Sequence, residues 1–424
     1  MSDAPNGPPA KASTDRSEGF GERLLGTMID RAHEMPPHLI APLVAEVIAT
    51  IGGRAVAVLL QDYDQVMLMP LPGQGLVVEQ PQPIEDSEAG RAFLGDALVE
   101  QPVEGGVRLL VPMLDGTDRV GVLAFTGDSP GEDDRRLARR FAGLLADVLV
   151  TKGMYTDRFF QARRRQPMSL SAEMQYALLP PSMMSTPLVA VAGVLEPAYR
   201  VAGDSYDYAL NDDVLHLAIF DAVGHGLDAA VMVTVAVSAY RHARRAGSDL
   251  AGLYAELDAA IVEQFDADRF VTAQLAQFDV ASGWLRWVNA GHPRPLLWRP
   301  GQAVRGLRSP TTLPVGIGGG IPAVGQERLQ RGDRVLFYTD GIVEHRLPGG
   351  EQFGGRRLVE QFTQAEHDGG SVQQTVRRLS HALLRERGGI TNDDATLVLF
   401  EWRGADASHL AAHGPTDRDE DQDR

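Results

Sequence analysis

Four aspartate positions in the second half of the chain share one local context. They are Asp204 in VAGDSYDY, Asp221 in LAIFDAVGHG, Asp340 in VLFYTDGIVEH, and the pair Asp393-Asp394 in TNDDATLVLFEW. Each lies at or near the end of a run of residues typical of a β-strand, with a glycine or another aspartate close by. One aspartate near a glycine usually forms a turn, so the chemical interpretation depends on the repetition of this pattern within one region.

Carboxylates gathered at one edge of a sheet repel each other unless cations lie between them. Hard divalent cations prefer oxygen ligands, and the chain contains no cysteine that could supply a thiolate. Two such ions can lower the pKa of a water molecule and hold the attacking and leaving oxygens of a phosphoryl group. The pattern therefore predicts a site for two Mn²⁺ or Mg²⁺ ions that acts on a phosphate ester.

The elements that must position these acids are mostly strands. The runs 214–220, Arg334–Tyr338 and 396–402 are predicted strands next to Asp221, Asp340 and the Asp393-Asp394 pair. Between them the sequence predicts an apolar helix over 226–245 and a second helix that begins at Ser248 or Asp249 as its cap. Many strands and few helices in mixed order predict an α+β domain over residues 171–403.

Six segments of this domain resemble a known family in the order in which they occur. They are LLP (178–180), VAGDSYDY (201–208), FDAVGHG (220–226), NAGHPRPLL (289–297), FYTDGIVEH (337–345) and NDDATLVL (392–399). Together they resemble the motifs of the SpoIIE-type phosphatases, the bacterial branch of the PPM, or protein phosphatase 2C-like, metal-dependent serine/threonine phosphatases. The resemblance implies a β-sandwich flanked by helices, with two metal ions at one edge.

The resemblance also implies a set of site residues. The implied catalytic residues and metal ligands are Asp204, Asp221, Asp340 and Asp393, together with the backbone carbonyl of Ala222. Asp221 would bridge both ions, and Asp393 is preferred to Asp394 because the first acid of the DDAT motif is the family ligand.

Further residues of the same motifs would surround the ligands. They are Gly203, His225, Gly341 and Asp394. His225 is either a general acid or a residue that fills the turn or caps the helix after it. Asn289 and His292 are predicted to shape a turn between strands.

The activity implied by the resemblance is hydrolysis of phosphoserine or phosphothreonine on a signalling protein of the anti-anti-sigma type, through a water activated by two metal ions. One alternative is a pseudophosphatase that binds a phosphoprotein without turnover. Another is a sensor and dimer scaffold whose enzymatic part is weak. The presence of all four acids favours the enzyme.

Residues 21–150 predict a second, smaller α+β domain. Two helical segments are followed by strand-like runs, and the segments LLVPM (109–113) and DRVGVLAF (118–125) in particular resemble a GAF domain. The resemblance implies a sensor for a small molecule or a partner. A structural or dimerising domain without a ligand is the alternative.

An apolar stripe predicts a connecting helix over 132–170. Its residues are Leu137, Phe141, Leu144, Leu145, Val148, Tyr155 and Phe159. Such a stripe can pack on its own domain or against a second chain, so a monomer and a homodimer both remain open.

Composition excludes other classes of function. The formal net charge of −17 over 424 residues excludes nucleic acid as the main partner, which needs a basic surface. The longest apolar run, 229–239, is too short to span a bilayer, and the N-terminus has no signal-peptide pattern. We therefore expect a cytoplasmic protein without a membrane partner. The polar ends, 1–20 and 404–424, are predicted to be disordered.

Overall fold

The computed structural model describes residues 18–196, 199, 203–345, 347, 350–386 and 394–404. It divides into two compact units, Met1–Gln166 and Pro167–Arg424. Almost all of the predicted terminal arm and tail, and the candidate ligand Asp393, lie outside the described residues. Residues 18–20, which the sequence predicts to be part of the disordered arm, begin a helix instead, because Phe20 packs against the core of the first unit.

The first unit is an antiparallel sheet with helices on both faces. Its strands are β1 (Arg54–Gln61), β2 (Met67–Pro70), β3 (Gln82–Pro83), β4 (Val99–Val103), β5 (Gly106–Asp115) and β6 (Asp118–Gly127), in the order β3-β2-β1-β6-β5-β4. Its helices are α1 (Glu18–Glu34), α2 (Ile40–Thr50), α3 (Glu88–Gly95), α4 (Glu132–Gly153) and α5 (Arg158–Ala162). One face of the sheet packs against α1, α2 and α4, and the other face packs against α3.

The predicted connecting helix is divided in the structure. The stripe residues Leu137, Phe141 and Leu145 of α4 are buried in the core of the first unit. The helix ends at Gly153, a residue that weakens helices, and Tyr155 after it is 60% exposed. The buried Phe159 belongs to the separate helix α5. The stripe therefore packs on its own unit.

The second unit contains two six-stranded sheets. Its strands are β7 (Met183–Ser185), β8 (Val189–Glu196), β9 (Asp204–Asn211), β10 (Val214–Ala222), β11 (Val271–Asp279), β12 (Trp284–Ala290), β13 (Leu296–Trp298), β14 (Arg305–Gly306), β15 (Thr311–Thr312), β16 (Val324–Arg328), β17 (Arg334–Tyr338) and β18 (Ala395–Trp402). Its helices are α6 (Leu170–Leu178), α7 (Leu227–Arg245), α8 (Leu250–Gln264), α9 (Asp340–Val343), α10 (Gly354–His367) and α11 (Val372–Glu386). The α8 cap is Asp249, whose Oδ1 accepts a hydrogen bond from the amide of Gly252 at 2.8 Å.

The two sheets pack face to face with helices outside them. One sheet has the order β15-β12-β11-β10-β9, with β16 beside β12, and the other has the order β14-β13-β17-β18-β8-β7. A shared core lies between them, α7 and α8 cover the outer face of the first sheet, and α10 and α11 cover that of the second. The predicted α+β class, with a sandwich flanked by helices, is confirmed.

Within the described part of the chain, no helix combines the length and the apolar character needed to cross a membrane.

Candidate metal centre between the two sheets

Two of the candidate acids lie at one end of the space between the sheets. Successive side chains of a strand point to opposite faces. On β10, Leu217 and Ile219 contribute to the core between the sheets, so Asp221 continues the same row. On β9, Asp204 pairs directly with Asp221 and lies in the row that leads to the buried Tyr206. The apolar core therefore ends in a pair of carboxylates.

The opposite sheet holds one of these carboxylates. The hydroxyls of Thr339, after β17, and Thr396, in β18, donate hydrogen bonds to Oδ2 of Asp204 at 2.6 and 2.8 Å. The amide of Thr396 in turn donates to Oγ1 of Thr339 at 2.9 Å. Asp204 is only 2% exposed and both threonines are fully buried. The orientation of the Asp204 carboxylate, which belongs to the first sheet, is thus set by two threonines that lie in or directly after strands of the second sheet.

Asp394 lies at the same end and binds the backbone. Its Oδ2 accepts hydrogen bonds from the amides of Gly203 and Asp204 at 2.6 and 3.3 Å. The carbonyl of Gly203 accepts from the amide of Ala222 at 3.0 Å. A Cβ on Gly203 would lie 2.7 Å from the carbonyl oxygen of Ala222, which explains why glycine is needed here. Asp394 therefore positions the start of β9, and the role of Asp393 stays a prediction.

Asp340 lies near the same end of the sandwich because it follows Thr339 in the chain. It is half-buried and begins the short helix α9, in which Gly341 is buried. The amide of Thr339 donates to the carbonyl of Thr396 at 3.2 Å. Because Thr339 also binds Asp204, the structure brings Asp340 to the edge that carries the other two acids.

His225 lies at the rim of the site in an exposed loop. Its neighbours Gly224 and Gly226 have φ values of +103° and +74°, which favour glycine. The cap of α7 is Gly226, a residue without a side chain, so His225 fills the turn and does not cap the helix. Its part in the chemistry stays a prediction.

The NAGHP segment shapes a turn and also reaches the site. Oδ1 of Asn289 accepts a hydrogen bond from the amide of His292 at 2.8 Å. The Nδ1 atom of His292 is hydrogen-bonded to Oγ1 of Thr272 at 2.8 Å, and Thr272 pairs with Asp221 across the ladder. Burial lowers the pKa of His292 to about 3, so this ring is neutral at physiological pH.

Sequence reasoning missed several residues of this site. Thr339 and Thr396 are next to or near the acids in the YTDG and DDAT segments, so their position was a usable signal. Gln175 of α6 gave no signal, yet it is fully buried and its Nε2 donates to the backbone carbonyl of Asp204 at 2.8 Å. The helix α6, which precedes all strands of the sandwich, therefore contacts Asp204, the most buried acid of the candidate site.

The electrostatics of the site fit a divalent cation. Burial raises the pKa of Asp204 well above its usual value, and the charges of Asp221 and Asp394 raise it further, against the two threonine hydrogen bonds. Within the described ranges, which omit Asp393, no group of three or more acids or histidines is close enough to bind an ion by itself. An oxygen-only set of like charges in a buried place is nevertheless what Mn²⁺ or Mg²⁺ would neutralise.

Comparison with known proteins adds independent findings. Residues 211–403 match the family model described as Stage II sporulation protein E (SpoIIE). "Phosphoserine phosphatase RsbU" of Bacillus subtilis (strain 168) is 23% identical over 271 residues, which cover 60% of this chain and 77% of RsbU. "Phosphoserine phosphatase RsbP" of the same organism is 27% identical over 151 residues, which cover 34% of this chain and 37% of RsbP. The chain thus spans little more than a third of RsbP.

Solved structures show partial similarity. The RsbU and RsbW domains of Rv1364c from Mycobacterium tuberculosis are 27% identical, with a TM-score of 0.47 and coverage of 52% of this chain and 63% of that one. The SiaA-PP2C domain of Pseudomonas aeruginosa is 23% identical, with a TM-score of 0.47, and the match covers 55% of this chain and 94% of the SiaA domain.

Proposed function

We propose that this chain, whose residues 211–403 match the SpoIIE family model, is a protein phosphatase that hydrolyses phosphoserine and phosphothreonine on a signalling protein with the help of divalent cations. The observation that carries this proposal is the pairing of Asp204 with Asp221 at the polar end of the sandwich. Asp204 is buried and Asp221 is partly buried, and a buried acid beside a second carboxylate is costly unless a cation compensates the charge. Such a pair therefore has little purpose in a purely structural domain.

We propose that the ions are held by the residues predicted from the sequence. They are Asp204, Asp221, Asp340 and Asp393, with the carbonyl of Ala222. Two Mn²⁺ or Mg²⁺ ions, when bound there, would neutralise the acids, lower the pKa of a water molecule and offset charge on the phosphoryl oxygens. Thr339 and Thr396 keep Asp204 in a single orientation by binding its Oδ2, which limits the reorganisation needed when a cation binds.

The relatives suggest the class of substrate. RsbU and RsbP are named as phosphoserine phosphatases, and a regulator of the anti-anti-sigma type is the substrate that we propose for this chain. A phosphorylated serine on a small, folded partner would present its phosphoryl group at the exposed end of the two sheets, beside the loop that holds His225.

The test of this function is hydrolysis of a phosphoserine peptide by the full chain. We expect phosphate release with Mn²⁺ present, complete loss of activity after removal of the metal with EDTA, and recovery when Mn²⁺ is added back. Hydrolysis that is insensitive to EDTA would contradict the proposed chemistry. Binding of Mn²⁺ and of the peptide without any phosphate release would favour the pseudophosphatase alternative.

Regulation by the first unit is a second part of the proposal. The helix α6, which follows the boundary at Gln166, contacts the site through the hydrogen bond from Gln175 to the carbonyl of Asp204. A displacement of α6 would therefore move the backbone of a proposed ligand. We propose that the first unit senses a small molecule or a partner and acts on the site through this helix.

Removal of residues 1–166 tests this regulation. We expect the shortened chain, which begins at Pro167, to differ from the full chain in its Mn²⁺-dependent rate, because α6 would no longer be covalently connected to the proposed sensor. The measurement is the rate of phosphate release at equal protein concentration, with thermal unfolding as the control for folding. Equal rates and equal Mn²⁺ requirement in both chains would speak against the sensor role.

A further inference from the structure

Arg269 lies at the rim of the candidate metal centre. It comes just before β11, whose Thr272 pairs with Asp221. The ladder continues past these residues, because the amide of Val223 donates to the carbonyl of Phe270 at 3.0 Å. Arg269 therefore stands just beyond the end of the strand pair that positions the proposed bridging acid.

The guanidinium of Arg269 extends along the loop that follows Asp221. A Cβ on Gly224 would lie 3.3 Å from Nη1 of Arg269, so the head group passes close to this loop. The backbone of Arg269 is well held, since its amide donates to the carbonyl of Asp266 at 2.9 Å and its carbonyl lies close to Gly316. The side chain, in contrast, is 38% exposed.

The ion pair of Arg269 is loose. Within the part of the chain that the structure describes, its recorded partner is Asp228, with 3.6 Å between Nη2 and Oδ2 and with Asp228 79% exposed. Charge-assisted hydrogen bonds are shorter, about 2.7–2.9 Å. The buried pairs of this unit have such lengths, as in Arg244 with Asp207 at 2.8 Å and Arg299 with Asp333 at 2.6 Å. Arg269 can therefore exchange its carboxylate for a stronger anion.

We propose that Arg269 binds the phosphoryl group of the substrate and that its guanidinium pairs with the carboxylate of Asp228 when no substrate is present. This inference rests on the proposed phosphatase function. A guanidinium matches phosphate through two parallel hydrogen bonds. The amides of the first turn of α7, whose cap is Gly226, also end beside this loop and favour an anion there.

The negative charge of the protein and of its candidate site favours a cationic side chain such as Arg269 at the rim. The chain carries a net charge of −17, and the candidate site is itself built of carboxylates. These carboxylates repel a phosphoprotein that approaches this edge, and a guanidinium at the rim reduces the repulsion. Asp228 lowers the affinity for phosphate by competing for the same guanidinium, so the two residues should affect binding in opposite directions.

The test uses full-length variants and a phosphonate analogue of the phosphoserine peptide, which binds without being hydrolysed. With Mn²⁺ present, we expect Arg269→Ala to weaken binding of the analogue about 10-fold to 100-fold, and Arg269→Lys to restore part of the loss. We expect Asp228→Asn to tighten binding severalfold. The matched control is Arg305→Ala, because Arg305 is also an exposed arginine with a carboxylate partner, Glu327.

Turnover of the phosphoserine peptide separates this inference from the proposed function. We expect the KM of Arg269→Ala to rise by the same factor as the dissociation constant, while Arg305→Ala keeps the wild-type KM. If the wild type hydrolyses the peptide and Arg269→Ala binds the analogue as tightly as the wild type, the role of Arg269 is wrong and the phosphatase function stands. If the wild type shows no hydrolysis, the phosphatase function fails, and unchanged binding in Arg269→Ala would overturn the role of Arg269 as well.

Discussion

Replacing Asp221 with asparagine should reduce Mn²⁺-dependent hydrolysis of a phosphoserine peptide by about 1,000-fold or more, a loss of roughly 4 kcal/mol of transition-state stabilisation. Asparagine keeps the shape of the side chain but removes the charge that would bind both cations. The measurement is the initial rate of phosphate release over a range of Mn²⁺ concentrations. Saturating Mn²⁺ should not restore the rate, because the lost charge acts in catalysis as well as in binding.

The same substitution should leave the metal-free protein at least as stable as the wild type. The charge of Asp221 raises the pKa of the buried Asp204, so removing it relieves repulsion in the absence of a cation. Thermal unfolding in EDTA measures this effect. Loss of activity without loss of stability would show that Asp221 serves the chemistry and not the fold.

The matched control for Asp221→Asn is Asp213→Asn. Asp213 is an exposed aspartate in the turn between β9 and β10, at the opposite end of the hairpin that carries Asp221. We expect wild-type activity from this control. Equal rates for Asp221→Asn and the wild type would remove the basis of the proposed mechanism.

Acidification should destabilise the metal-free protein through His292. Burial lowers the pKa of His292 to about 3 in the folded state, while a histidine in an unfolded chain has a pKa near 6.5. Below pH 6.5 the unfolded state therefore binds a proton that the folded state does not. The contribution to stability is complete above pH 6.5 and is lost as the pH falls, by about 2 kcal/mol between pH 7 and pH 5.

Comparison of the wild type with His292→Gln isolates this contribution. The raised pKa of Asp204 has the opposite sign, because the folded state then retains a proton that the unfolded state has released. That contribution is common to both proteins and cancels in their difference. We expect the unfolding free energy of His292→Gln in EDTA to change less between pH 7 and pH 5 than that of the wild type.

The exposed His225 provides the control for this prediction. His225→Gln should keep the full pH dependence of the wild type, since its ring is not buried in the fold. A His292→Gln variant whose stability has the same slope between pH 7 and pH 5 as the wild type would show that the His292 ring titrates normally in the folded state.

The sequence by itself determined the acids and the strands that carry them. The predicted strand 214–220 is β10 (Val214–Ala222), the predicted strand Arg334–Tyr338 is β17, and the run 396–402 is β18 (Ala395–Trp402). These elements could be found because each is a short, nearly continuous apolar run, a pattern that is contained in the strand itself. The positions of Asp221 and Asp340 at the ends of strands follow from the same local pattern.

The tertiary structure decided which residues meet. Thr339 and Thr396 bind Asp204 over separations of 135 and 192 residues along the chain, and Asp394 binds the amide of Gly203 over 191 residues. The hydrogen bond from Gln175 and the position of Arg269 beside Gly224 likewise depend on how distant segments are folded together. Local periodicity specifies the face of a strand on which a side chain lies. Partners across a sandwich depend on the order and register of all the strands between them, which no short stretch of sequence contains.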